Sequence, residues 1–427
     1  CSIYVVSQHL IKMQTRMSCC LFTFLLGVSM VTASAFDHPA GWHTKSDIAR
    51  VRSFIASKKE PWKSATELLM NDTSLTSSYE PDASSLVCRT SGTTLCCAPD
   101  QSCPGASSEG MERDGIASYY LMLRWIATSD NIWVDAAERV IDAWSDKLTA
   151  FAGHDQMLAI GLYGGHLAQA AELLAYAKPD WANKARAQKM FLEVIHPGCS
   201  LICGRTNTGY PQPPQQNCVN ASNGNWDAVC MSGVASWAVF LDNATMLETV
   251  HEYFKSGAGN GKLVNYIQDA EGECQESGRD QGHTQLGIFD LVQAAFTIFH
   301  ATNATDIFIM ADRRLQAGIE YTVKYNLNYS VPFRPNCGPP GLPHPQGHGW
   351  CFHNISARGD FAPFYELVGG IYGKNVPYVQ ELLSKKTRGD GTMDAYRPET
   401  GCWNTQRPCQ PVIHGGAHVG DGSPRFG

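Results

Sequence analysis

Apolar residues recur at the three-to-four-residue spacing of an amphipathic helix through most of the chain, and no stretch of any length alternates as a strand requires. That periodicity admits helical folds and argues against sheet-based ones. Thr44 and Ser46-Asp47 stand as caps before Ile48, Val51 and Ile55, and a second helix follows Pro61, whose fixed φ suits a first turn. The spacing predicts further helices over 116–127, 133–144, 157–177, 181–195, 225–241, 244–255, 283–300, 306–325, 361–372 and 376–385. Three stretches break the pattern: 71–110, rich in Ser, Thr, Gly and Cys; 199–223, with Pro211, Pro213 and Pro214; and 331–349, rich in Pro and Gly. Short breaks make neighbouring helices antiparallel. With long loops collected between pairs, the order fits an all-α (α/α) toroid, an incomplete barrel of antiparallel helix pairs with disulfide-tied loops, better than a four-helix bundle. A helical solenoid would show a fixed period, and the sequence has none.

The chain has 427 residues, 44% hydrophobic and 17% charged, enough apolar material for one large core or two ordinary domains. Its net charge is -7 and no basic run is longer than Arg313-Arg314 or Lys385-Lys386, which argues against a nucleic-acid partner. Met13 and Met17 are both candidate starts. Arg16 precedes the apolar run CCLFTFLLGVSMV and then Ala33-Ser34-Ala35, the three parts of a secretory signal peptide, with cleavage expected before Phe36. The run is shorter than the roughly 20 residues of a membrane span, so no membrane association is expected after cleavage. The expected division is 1–35, upstream residues and leader; 36–400, the toroid; and 401–427, a Gly-rich tail bridged by Cys402 and Cys409, where the sequence is expected to stop short of the natural end.

Removing Cys1, Cys19 and Cys20 leaves Cys88, Cys96, Cys97, Cys103, Cys199, Cys203, Cys218, Cys230, Cys274, Cys337, Cys351, Cys402 and Cys409. In a secreted, extracellular protein most of these pair, and their odd number leaves at least one thiol free or joined to another chain. Neither Cys199-x3-Cys203 nor Cys96-Cys97 has a second pair at zinc spacing, so no metal is expected. Sequons at Asn71, Asn220, Asn243, Asn303, Asn328 and Asn354 fit a glycoprotein.

Three polar constellations interrupt this apolar framework. The first is GECQESGRDQGHTQLG, 272–287, which brings three acids, Arg279 and His283 to the threshold of the apolar run IFDLVQAAFTIF. Such density is either a hydrogen-bonded girdle or a site, and His283 there either caps the helix or serves as a base. The second is Asn223-Gly224-Asn225-Trp226-Asp227, where one residue would suffice as a cap; an indole face suits a sugar ring and an amide suits a carboxyl group. The third is 311–330, in which Arg314 and Tyr321 stand seven apart on one helical face, with Gly318 leaving space between them and Lys324 one turn further; the alternative is an ordinary solvated face.

An amide, a histidine, an arginine and a tyrosine suit β-elimination from a uronic acid. The C5 proton is very weakly acidic until the adjacent carboxylate is neutralised, which Asn and Arg can do; a phenol can then act as base, as acid to the departing O4, or as both. The segments NWDAVC, GNGKLVNYI, GECQESGRDQGHTQLG and RLQAGIEYTVKYNL together resemble the secreted alginate lyase superfamily over about 37–333. That resemblance implies an (α/α) toroid that cleaves an anionic polysaccharide of alginate or glucuronan type by elimination, with no cofactor. It implies Asn225 as carboxylate neutraliser, His283 as base or neutraliser, Arg314 as the cation beside the carboxylate, and Tyr321 as base and acid. Trp226, Arg279, Gln285, Arg313, Lys324 and Tyr325 complete the expected substrate-binding set of a monomer. Better-known alginate lyases carry an Asn-His dipeptide; here Gly282 precedes His283, as in the branch whose asparagine lies far upstream. Mannuronate, guluronate and glucuronate polymers all stay open.

Two other functions compete. An inverting glycoside hydrolase could draw its two carboxylates from Glu273, Glu276 and Asp280. A non-catalytic carbohydrate-binding protein would keep Trp226 and the basic residues. Arg279, Arg313, Arg314, Lys324 and Arg334 are expected to make the cleft of this acidic chain locally positive.

Overall fold

The computed structural model describes residues 34–60, 62–89, 103, 107–153, 155–199, 225–257, 259–334, 353–362 and 364–386. The leader up to residue 33, Asn223 and Gly224, most of the Pro-rich loop and the tail with Cys402 and Cys409 lie outside the described residues.

The helices are α1 (Lys45–Ala56), α2 (Trp62–Asn71), α3 (Glu109–Thr128), α4 (Asn131–Lys147), α5 (Gly164–Ala177), α6 (Lys184–Met190), α7 (Trp226–Phe240), α8 (Ala244–Ser256), α9 (Gln281–Thr302), α10 (Asp306–Asn326), α11 (Tyr365–Tyr372) and α12 (Pro377–Lys386). A π-helical segment, Ala159–Tyr163, leads into α5, and another, Phe191–Ile195, continues α6. Most expected helices appear within a few residues of their sequence bounds. The Thr44 hydroxyl accepts from the Asp47 amide and the Asp47 carboxylate accepts from the Thr44 amide, a complete capping box at α1.

Packing separates two layers. α3, α5, α7 and α9 neighbour one another in that order, α4 packs on α3 and α5, and α8 packs on α7 and α9. The inner helices are apolar nearly all round: every residue of α7 from Asp227 to Phe240 is buried. The outer ones bury a single stripe, Leu247, Val250, Tyr253 and Phe254 in α8. An inner arc of helices backed by antiparallel partners is the (α/α) toroid arrangement, and it follows from which helices can tolerate water on one face.

Two expectations fail locally. Leu86–Cys88 and Ala150–Ala152 form a short parallel pair (β1, β2) inside stretches expected to lack strands. Three residues are too few for an alternating pattern to show in sequence, and the Cys88–Cys103 disulfide ties this pair to its loop. Within α10, Met310 leaves helical geometry and Ala311, Asp312 and Arg313 take left-handed φ of 52°, 56° and 60°, so the continuous helix begins again at Arg314. No Gly or Pro announces that break.

Cys199–Cys230 is a second disulfide, tying residue 199 to α7; pairing removes Cys199 from any metal site, and Cys274 is a buried free thiol. Among the described residues no helix is long and apolar enough to cross a membrane.

Gly161 and Gly233 set the spacing of the inner layer. A Cβ on Gly161 would stand 2.7 Å from the Val229 carbonyl oxygen, a backbone atom that cannot move aside without shifting α7. Gly161→Ala is therefore expected to destabilise the fold by about 1–3 kcal/mol, the usual cost of overpacking. Thermal unfolding checks this, and an unchanged midpoint would show that the π-helical segment before α5 is not in backbone contact with α7.

Candidate functional site

The polar stretch folds as a hairpin docked on α10. Gln275 N donates to Tyr266 O at 2.7 Å, Gln268 N donates to Glu273 O at 2.8 Å, and Ile267 pairs with Cys274. The Asp269 carboxylate accepts from the amides of Gly272 and Glu273 at the tip. Gly272 is required there twice over, by a φ of 100° and because a Cβ would lie 2.1 Å from Ala317 O. Ile267 occupies the space above Gly318, so that glycine admits the hairpin rather than a ligand.

From this hairpin Tyr266 reaches the start of α9. Its hydroxyl, fully buried, lies 3.3 Å from Glu276 Oε2, 3.4 Å from His283 O and 3.2 Å from Thr284 O. Arg279 Nη1 donates to Glu276 Oε1 at 2.7 Å. Burial is the largest influence on Glu276 and raises its pKa despite that arginine. Asp280 is the N-cap of α9: Oδ1 accepts from the His283 amide at 2.8 Å, and Oδ2 lies 2.6 Å from His283 Nδ1. Burial alone would raise the Asp280 carboxyl, but the bonds from the His283 ring and backbone outweigh it and hold it below its ordinary value. With Nδ1–H directed at Asp280, Nε2 is the basic nitrogen of the ring. His283 is thus held by a cap and is not itself the cap.

Asn225 comes to the same place from the start of α7. It is buried, makes no side-chain cap bond, and its Nδ2 donates to His283 O at 3.5 Å while Oδ1 has no partner. Next to it, Trp226 is half-buried against the core. Arg314 Nη1 donates to Ile267 O at 3.0 Å, and among the described residues Arg314 makes no ion pair. Asn225, His283 and Arg314, far apart in sequence, are therefore joined through the consecutive residues Tyr266 and Ile267.

Tyr321, further along α10, stands beside residues 273 and 274 of the hairpin. It is 4% exposed, and its hydroxyl donates to Pro332 O at 2.5 Å. Burial above all, then the charges of Glu273 and Cys274, pushes its pKa far up, so the phenol is a proton donor at neutral pH. His353, which the sequence gave no reason to single out, stacks on Tyr325 at 3.5 Å between centroids and lies 5.9 Å from the Tyr321 ring. Arg358 covers Tyr325 at 3.9 Å.

Several expected ligand contacts are spent inside the protein. Gln285 uses its whole amide: Nε2 donates to Gln281 O and Asp360 O, and Oε1 accepts from Ala362 N and Tyr365 Oη. That makes it a strut of the site rather than a hand for substrate. Arg279 is balanced by Glu276 and Asp280. Arg334 is balanced by Asp269 and Glu271. Arg313, in the broken turn of α10, acts on Tyr372 of α11, and Lys324 lies over the Tyr378 ring of α12 at 5.2 Å. Of the cations expected to make the region positive, Arg279 and Arg334 are thus offset by acids, whereas Arg314 and Lys324 make no ion pair among the described residues. A concavity of about 570 Å³ between α8 and the end of α9 contains none of the expected site residues.

Neither a family model nor a curated protein matches the chain. Among solved structures, the chain is similar to an alginate lyase from Bacteroides ovatus, at 10% identity over 67% of this chain and 92% of that one, with a TM-score of 0.40. It is also similar to alginate lyase A1-III from Sphingomonas species A1, at 15% identity over 69% of this chain and 80% of that one, with a TM-score of 0.46. At these values the chemistry of the site rests on its own residues.

Asp227, two residues after Asn225, is buried, and its Oδ2 accepts from Gly261 N at 2.7 Å. Burial raises its pKa to about 6 in spite of that bond. A raised acid binds more protons folded than unfolded, so stability is fullest below the unfolded value and falls as pH rises through about 6. Asp227→Asn keeps an acceptor for Gly261 and buries no charge. Its melting temperature should gain on the parent between pH 4 and pH 7, by the equivalent of up to roughly 3 kcal/mol. A gap independent of pH would contradict the assignment.

Proposed function

We propose that the chain is a polysaccharide lyase that cleaves a uronic-acid polymer of alginate or glucuronan type by β-elimination. The observation that carries the proposal is the meeting of the Asn225 amide with the main chain of His283, whose ring Asp280 orients, beside a hairpin that holds Arg314, a cation with no ion pair among the described residues. The unpartnered Asn225 Oδ1, an acceptor, costs about 1–3 kcal/mol and suits a sugar hydroxyl, while Nδ2, held only by the 3.5 Å bond to His283 O, is the donor that can turn to a carboxylate.

In this reading Arg314 and Asn225 take the uronate carboxylate. The planar guanidinium grips both oxygens, and with the charge neutralised the C5 proton becomes removable. His283 Nε2 takes that proton, with Asp280 stabilising the imidazolium that results. The C4–O4 bond breaks as the electron pair from C5–H forms the C4–C5 double bond, and the Tyr321 hydroxyl protonates the departing O4. Its raised pKa supports the acid role and disfavours the base role that the sequence also allowed. To act, the phenol exchanges the Pro332 carbonyl for the glycosidic oxygen.

The inverting-hydrolase alternative is weaker on the same ground. Glu276 is held by Arg279 and Tyr266, Glu273 by the Arg334 amide, and Asp280 by His283, so each of the three acids already has a structural partner. The disulfides Cys88–Cys103 and Cys199–Cys230 support residence in an oxidising, extracellular setting.

Turnover on a panel of mannuronate, guluronate and glucuronate polymers, followed by the ultraviolet absorbance of the conjugated product, tests the proposal; no absorbing product from any of them would sink it. On the best substrate Tyr321→Phe should lose about 10²–10⁴-fold in rate with folding intact. Asp280→Asn keeps a competent helix cap but removes the carboxylate behind the imidazole. It should lower turnover by about 10²- to 10⁴-fold, the upper end being the loss seen when the carboxylate behind a general-base histidine becomes an amide. Near-parental rates in both variants would place the acid and base elsewhere.

A further inference from the structure

The segment that begins the domain is inlaid rather than trailing. Ser34 and Ala35 are exposed, whereas Phe36 is 7% exposed and belongs to the core. It also lines the concavity between α8 and α9. Beyond it, His38 lies 2.7 Å from Glu172 of α5, Ala40 N donates to the same carboxylate at 3.0 Å, Trp42 N donates to Gln169 at 2.7 Å, and the Gly41 carbonyl lies 2.8 Å from His300 Nδ1 of α9. The register of this strap is therefore fixed.

At its start sits Asp242, in the turn between α7 and α8. Its Oδ1 lies 2.9 Å from Ala35 N, 3.2 Å from Phe36 N and 3.1 Å from His38 Nε2. Two neutral amides and a ring are thus gathered on one carboxylate oxygen, at the peptide bond where the sequence places leader cleavage. We propose that cleavage between Ala35 and Phe36 creates an α-ammonium at Phe36 that Asp242 receives, locking the mature N-terminus into the α7–α8 turn as an ion pair.

The step is a hydrolysis carried out by a signal peptidase on the emerging chain. Water supplies hydroxyl to the Ala35 carbonyl carbon and a proton to the Phe36 nitrogen, the C–N bond breaks, and a second proton from solvent gives the ammonium. Folding then delivers that nitrogen to the position the Phe36 amide occupies here. A three-proton cation replaces a one-proton amide, and charge-assisted bonds to carboxylate are the stronger kind. The Asp242 side chain is 36% exposed, so the pair is partly screened, and amine reactivity reads it more directly than a melting temperature. The proposal is independent of the lyase reading.

The full chain is expressed in a eukaryotic secretory host, recovered from the medium, and its first residue determined by mass spectrometry. The amine is then acetylated with acetic anhydride at neutral pH in the folded protein, in folded Asp242→Asn, and in the parent unfolded by urea. Phe36 should be the first residue, and its amine should react about tenfold more slowly in the folded parent than in either comparison, as a one-unit rise in pKa requires. If Asp242→Asn does not fold, the urea comparison decides alone. Failure to be secreted, a different or blocked first residue, or equal rates in the available comparisons would overturn the proposal.

Discussion

The Asp280 carboxylate is the point from which the candidate site is organised. One oxygen satisfies the His283 amide that α9 would leave bare, and the other receives the His283 ring, so the start of an inner helix and the orientation of an imidazole are settled by the same group. The bond from Tyr266 then fixes the hairpin against this helix start, and Arg314 grips the next residue of that hairpin. Removing any of these links frees the others, because each functional side chain is held through a neighbour rather than directly against the next.

Cost and purpose run together in this arrangement. Buried acids such as Glu276 and Asp227, and unpaired buried atoms such as Asn225 Oδ1 and Asn260 Nδ2, weigh against stability. The apolar inner layer of α5, α7 and α9, in which the π-helical segment before α5 meets α7 closely at Gly161 and Gly233, offsets that burden and keeps the helix starts where they are. The acidic partners of Arg279 and Arg334 offset two of the cations near the site.

Much of this was legible in the sequence because it rests on local rules. Helix period and caps located the helices, and the density of polar residues in 272–287 marked the knot, since so many polar groups beside an apolar helix need partners. That Asn225 and His283 would meet had no local signal; the chemistry and the family resemblance suggested a role for each, and no local rule links residues so far apart. What stayed hidden depends on tertiary contact. The left-handed run at Ala311–Arg313 carries no Gly or Pro, the strand pair is too short to alternate, and Gln285 looks like a ligand contact until the residue 360–365 segment is seen to take its amide. His353 beside Tyr321 had no sequence signal at all, because a lone histidine in a loop is indistinguishable from any other.

In elimination the bond breaks without water taking part in cleavage, whereas hydrolysis consumes one water per bond. Running the reaction in ¹⁸O-enriched water and weighing the fragments tests this most directly. Elimination leaves a new non-reducing end that is unsaturated, one water lighter than a hydrolysis product, with no ¹⁸O built in at the broken bond. Saturated fragments with one ¹⁸O incorporated per cleavage would contradict it and return the three acids of the hairpin to the centre of the chemistry.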